Sequence, residues 1–378
     1  MQATGRRLQE TGKAICFHDS LKFLISFSIS LLRLRKVADL VSENDLGLAL
    51  DSVRAGAAGS AEGLFGPASQ TWRIDREAAV FLGAGRALLL QLAHPWVASA
   101  IATHSATFAD PIGRFHRTFD VVFTMVFGSL DQALAASRRL HRRHTQIVGH
   151  LPEALGGFDK GSLYCANEIS ALRWVHATLV ETAWMTYQLV LPALTVEERE
   201  QYWAESRLFG ALFGLTPADL PADWASFVAY NQAMAQSDIL SVGSAARDIA
   251  GQIFSGARPW LRPPKWYQAL SVQMLPERLR AGFGFAFDQH ERRAADRALA
   301  RIRSVYPRLP IRLRTVGPYQ EAHARLQGRS RPDWATRWLN RAWIGRPLMA
   351  HHSDGRAASR AARAPGSETS GPDKRGLR

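Results

Sequence analysis

From Arg76 to Gly149 apolar residues recur at helical spacing, and nowhere in the chain does a period of two persist over strand length. That pattern restricts the chain to an all-α fold. Among the apolar residues of this stretch stand His94, Arg114, Arg117, Thr118, His141 and His144. Charges and imidazoles are costly to bury unless paired, hydrogen-bonded or metal-bound, so these residues are the first candidates for function. With 378 residues, 47% of them hydrophobic, the chain can fill one large core. We read it as a single large helical domain.

Local signals place the helices. Arg76 to Ala93 reads as helical but interrupted by Gly83 and Gly85, whose small size would let another helix, or a flat ligand, approach closely. Pro95 restarts it. Asp110-Pro111 is a cap followed by a first-turn proline, and opens a helix that ends at Gly128. Ser129 to Asp131 begins the next, which runs through His144 to Val148 and stops at Gly149. Tyr164 to Leu191 reads as one long helix, and Thr195 to Glu198 is a capping box. Further helical segments reach Gln327. The expected organisation is an uncertain basic extension over 1–50, a linker over 51–71, the helical domain over 72–328, a helical extension over 329–352 and a disordered basic tail over 353–378.

The run Phe23 to Leu32 is too short to span a bilayer, which takes about 20 residues. An interfacial helix, an uncleaved signal, and upstream sequence taken in by a misplaced start all account for it, and the last is favoured. The net charge of +14 is concentrated near the ends. It reads as a solvated basic surface, with membrane-surface contact through residues 1–40 as a further partner and no specific nucleic acid, since no recognition module is present. Two cysteines exclude a disulfide framework, and the expected compartment is the cytoplasm. No H-E-x-x-H, Glu-x-x-His or zinc-spaced cluster occurs, so a metal held by several protein ligands is disfavoured. No G-x-S-x-G occurs, and Gly83-Ala-Gly85 is only a fragment of a dinucleotide motif. A haem b needs only one axial imidazole and an apolar slot.

His94, His141, His144 and His176 are the histidines placed for that role, against the plain alternative of satisfied core histidines. His141 and His144 share a helix face, with Arg138 and Arg142 near it to meet propionates. Arg114 and Thr118, four apart, could bind a propionate or polarise bound dioxygen. By spacing alone the simpler reading is an arginine paired with Asp110 or Asp120.

Taken in order, Glu77…Leu82-Gly83…Arg86 to Pro95, Asp110-Pro111…Arg114…Arg117-Thr118, His141…His144…Val148-Gly149 and Tyr164 to Asn167…Leu172 to Leu179 resemble the blocks of a known family. Leu275-Pro276…Arg280…Phe283-Gly284 and Leu309-Pro310…Arg314 resemble its closing blocks. It is the oxygenase family named for latex-clearing protein and MpaB, and the resemblance spans roughly residues 72–325. The resemblance implies globin-like helix packing around a non-covalent haem b. It implies His144 as the proximal iron ligand, with His94 in reserve and His141 and His176 supporting the pocket. Arg114, Arg117 and Thr118 match the distal segment. Arg117 stands where latex-clearing protein has a lysine able to close the sixth coordination position, and a guanidinium stays protonated. No glutamate lies between Glu77 and Glu153, where that protein places a catalytic base. The implied function is a haem b-dependent oxygenase acting with dioxygen on an apolar, isoprenoid- or lipid-like substrate. The alternative is a catalytically silent protein of the same fold that binds a lipid or small molecule.

Overall fold

A computed structural model describes residues 39–105, 110–256, 262–329 and 331–349. The apolar run of residues 23–32 and the basic tail over 353–378 lie outside these residues. Side-chain caps set most helix starts. Ser42 and Asp45 box the start of α1 (Glu43–Gly56), and the Ser69 hydroxyl accepts from the Trp72 amide to open α2 (Gln70–Asp75). A 3-10 turn (Ala78–Gly83) leads into α3 (Ala84–Leu92), and Pro95 opens α4 (Pro95–His104). Asp110 caps α5 (Pro111–Phe127), and Ser129 with Gln132 boxes α6 (Leu130–His144). A hairpin follows, with β1 (Val148–His150) antiparallel to β2 (Leu163–Cys165) and Gly149 opposite Tyr164. Then come α7 (Ile169–Val190), α8 (Val196–Ala211), α9 (Trp224–Gln236), α10 (Ser244–Ser255), α11 (Lys265–Gln273) and α12 (Glu277–Phe283). The last are α13 (Gln289–Val305), α14 (Ile311–Arg314), α15 (Gly317–Leu326) and α16 (Trp334–Ile344).

The all-α reading holds, with several boundaries corrected. Within Arg76–Ala93 the interruption falls at Gly83, and the part before it is a 3-10 turn rather than α-helix. The first half of this stretch is pinned by an antiparallel bridge from Glu77 to Thr315, so the chain passes through the 3-10 turn before α3. Tyr164 and Cys165 pair in the hairpin, and Glu168 caps α7, so the long helix begins five residues later than expected. Likewise α6 ends at His144, and Gly149 lies in β1, where a Cβ would stand 2.4 Å from the Tyr164 hydroxyl. A boundary at residue 50 falls inside α1, whose Leu46, Ala49, Leu50 and Val53 are core residues. The segment over 329–352 is likewise not an appendage, because α16 packs on α5 and α15.

The largest buried side chains fasten helix to helix. The indole of Trp72 donates to the Val126 carbonyl (2.9 Å), tying α2 to α5, and that of Trp174 to Leu90 (2.9 Å), tying α7 to α3. On α5, Phe115, Phe119, Phe123 and Phe127 form a ladder with successive ring centroids 4.6, 5.7 and 5.8 Å apart. Phe81 of the 3-10 turn packs at a tilt against Phe119, and Trp343 of α16 against Phe81, with ring centroids 4.6 and 4.2 Å apart. The ladder therefore turns one side of α5 into the core and holds its other side toward α6.

Candidate functional site

The site is built where the end of α4, the start of α5 and the end of α6 meet β1. Asp110 fixes the start of α5 by accepting from the Gly113 amide (2.8 Å), and it takes the Arg117 guanidinium as a salt bridge (3.0 Å). Arg117 is 53% exposed there, and Thr118 is exposed as well. Asp120 is taken by Arg346 at 2.5 Å. The carboxylates expected to neutralise Arg114 are thus occupied by other arginines. Arg114 instead donates to the Ser105 hydroxyl at the end of α4. Burial, then the neighbouring charges of Arg117 and Arg143, lower its pKa. Arg114, Thr118, Val121, Val122 and Met125 share one side of α5. That side grades from exposed Thr118 through half-buried Val121 and Val122 to fully buried Met125, so it is open at its N-terminal end.

Helix α6 brings His141 and His144 to one face, as their spacing predicts, and that face looks toward Asn167, Leu172, Leu212 and Phe213. They are not equivalent. His141 reaches the Val41 carbonyl through Nε2 (3.2 Å). The His144 ring has no hydrogen-bond partner among the described residues. Burial lowers its pKa to about 4, with His141 and Arg143 adding to the effect, so its imidazole is neutral at physiological pH. It lines a small cavity of about 10 Å³ with Leu140, His141, Asn167, Leu172, Leu212 and Phe213. Arg138 and Arg142, read as propionate partners, are exposed. Arg143 is the arginine of this run whose charge is felt at Arg114. Neither Ser105 nor Arg143 stood out in the sequence, because each acquires meaning only when α4, α5 and α6 converge.

The two remaining histidines lie elsewhere. His176 bonds the Ser206 carbonyl through Nε2 (2.7 Å) and sits between Trp203 and Phe209 in the α7–α8 interface. His94 caps α4, 1% exposed, against Trp96 and Phe158. Its Nδ1 is buried with no partner, and burial lowers the pKa of both rings to about 4. The flat space imagined beside Gly83 and Gly85 is filled. A Cβ on Gly83 would stand 2.3 Å from the Thr182 methyl of α7, and one on Gly85 2.3 Å from the Ser271 hydroxyl of α11. These glycines admit helices rather than a ligand.

The only glutamate close upstream of the site is also committed. Glu77 is 1% exposed, contacts Arg76 and Arg314 at 3.3 and 3.5 Å, and accepts from the Tyr306 hydroxyl at 3.0 Å. It locks the start of the domain to its end.

The family described as ER-bound oxygenase mpaB/B'/Rubber oxygenase, catalytic domain, matches residues 71–304. The chain belongs to this family. No curated protein and no solved structure matches it. The mpaB/rubber oxygenase domain is an oxygenase domain, and here the helices holding His144 and Arg114 both lie inside the matched span. Helices α1, α15 and α16 lie outside it, yet they complete the same core. Among the described residues no group of three or more His, Cys, Asp or Glu could hold a metal ion, and no helix is long and apolar enough to cross a membrane.

Proposed function

We propose that the protein is a haem b-dependent oxygenase that acts with dioxygen on an apolar, isoprenoid- or lipid-like substrate. One observation carries the reading. An imidazole kept neutral, with no hydrogen-bond partner among the described residues, ends α6, and Arg114, which pairs with no described carboxylate, lies within reach of the charge of Arg143 on the same helix end. That donor set fits haem b, which asks for one neutral axial nitrogen and cationic partners for its propionates. The cavity beside His144 has room for about one water, far below the roughly 300–1,000 Å³ of sites that enclose a whole ligand, so haem would enter there only with movement of the side chains around it.

Bound haem would supply an iron able to activate dioxygen. His144 would hold it, with His94 as the reserve imidazole. Arg114, positioned by Ser105, would pair with a propionate or donate to a nearby polar oxygen. The Thr118 hydroxyl offers a second donor one turn away. Arg117 cannot take a lysine's place on the metal, being permanently protonated and tied to Asp110. Glu77 cannot serve as a mobile base while it neutralises Arg76 and Arg314. Proton transfer would therefore run through groups other than a glutamate, which separates this chain from the reaction of latex-clearing protein.

Purified protein should contain iron and show a Soret band. His144→Ala should lose both, and its apoprotein should bind added haemin at least about 100-fold more weakly. Full haem retention in that variant, together with loss in His94→Ala, would move the ligand to His94. Absence of haem from the wild-type protein and no binding of added haemin would leave the silent, lipid-binding alternative.

A further inference from the structure

Helix α16 is patterned inside out. The residues it buries are Thr336, Asn340 and Ile344, and two of the three are polar. Thr336 reaches Gln320 (3.4 Å), and Asn340 donates to Glu321 (2.6 Å) and to the Pro347 carbonyl (3.1 Å). These bonds fix which face looks inward. The face that looks outward carries Trp334, Arg337, Trp338 and Arg341, at helical spacing. Trp334 is 81% exposed and Trp338 64%. Neither arginine has a carboxylate partner among the described residues, and Arg341 only reaches back to the Arg337 carbonyl (3.5 Å). Next to this face, Arg312 of α14 bridges to Asp333 at the start of α16 (3.5 Å), and its neighbours Ile311 and Leu313 are 46% and 71% exposed. Arg329 and Arg331 stand exposed just before the helix.

Isolated exposed apolar residues are ordinary, but an exposed pair of indoles on a helix that buries threonine and asparagine needs a reason. We propose that this face of α16 docks the protein on an anionic phospholipid surface. Two observations choose lipid over a protein partner. The two indoles present roughly 300 Å² of aromatic surface, well short of the roughly 800 Å² per partner of a stable protein interface. The tryptophans also alternate with unpaired arginines, the combination that seats indoles at headgroup depth and guanidiniums on phosphate. His116 of α5 meets the Ala342 carbonyl of α16, and Asp120 pairs with Arg346 just beyond that helix, both on the side of α5 away from Arg114, so the inference stands whether or not haem binds at His144.

The test is co-sedimentation of the full chain with vesicles of phosphatidylcholine alone or mixed with phosphatidylglycerol. The wild-type chain should partition onto the mixed vesicles at least about tenfold more than onto the neutral ones, less so as salt rises. Arg337→Gln/Arg341→Gln should weaken partition by about fivefold per residue. Trp334→Ala/Trp338→Ala should weaken it at least about tenfold, with the thermal melt unchanged because both side chains are exposed. Wild-type partition retained in the tryptophan variant would overturn the proposal and leave the basic ends of the chain as the lipid contact. So would equal partition onto both vesicle types, or binding of duplex DNA, but not of vesicles, that the same substitutions abolish.

Discussion

His144 and His176 share a pKa near 4 for the same reason, burial, but differ in what their nitrogens do. Spacing alone could not separate them, because both are histidines on apolar helix faces. Hydrogen bonding separates them. His176 is tied to Ser206 between two rings, whereas His144 has no hydrogen-bond partner among the described residues and lines a small cavity. The Asp110-Pro111 cap was legible because a capping aspartate is a local signal. The fate of Arg114 was not, since Arg346, more than 200 residues away, removes Asp120 from its reach. Buried neutral histidines make stability pH-dependent. The fully buried His94 and His176 have folded pKa values near 4, against about 6.5 in the unfolded chain. Their contribution is complete above pH 6.5 and is lost as pH falls toward 4, on the order of 1–3 kcal/mol each. A thermal melt repeated across that range should show Tm falling with acid, and His176→Gln should flatten the fall. Asp75 has the opposite sign. Burial, then the charge of Glu205, raises its pKa to about 7, so it costs the fold stability as pH rises from 4 to 7. Asp75→Asn should raise Tm at pH 8 and do little at pH 4.

At the scale of elements, helix identity followed from period and caps, while the joints between helices did not. The 3-10 turn before α3 is imposed by a bridge to Thr315, and the start of α7 by strand pairing with β1. Both partners are distant or too short to leave a period of two. The phenylalanine ladder of α5 was visible as a four-residue repeat, but its meaning required Phe81 and Trp343 to be brought against it. Gly83 and Gly85 show how an ambiguous local signal resolves. Close approach was predicted, and helices rather than a ligand make it. Gly83→Ala should therefore destabilise the protein by about 1–3 kcal/mol through overpacking against Thr182 and Thr186, without first affecting ligand binding. A second joint is the ion pair of Arg86 with Glu181 at 2.5 Å, where Arg86 is 7% exposed and also donates to Thr182 and the Met274 carbonyl. Arg86→Ala leaves Glu181 without its cation and should cost about 3–5 kcal/mol in a denaturant titration.

At the scale of the whole molecule, the span that carries the family signal is smaller than the unit that folds. Residues 71–304 hold the site, but Leu46, Leu50 and Val53 of α1 and Val316, Ala322 and Ile344 near the other end belong to the same core. A chain trimmed to 71–304 should fail to melt cooperatively and should aggregate on gel filtration, whereas the full chain melts in one transition. A chain end dependent on its far neighbour also gives the molecule a timetable. Arg114 and Thr118 are made early, yet the helix that bears them acquires its backing from Trp343 and Arg346 only about 200 residues later. At about 5–20 residues per second of synthesis, that delay is about 10–40 s. During this interval the nascent chain has His144 and Arg114 but not the residues that back the helix bearing Arg114. The region that holds His144 and Arg114 is therefore completed only once the last helices have been made.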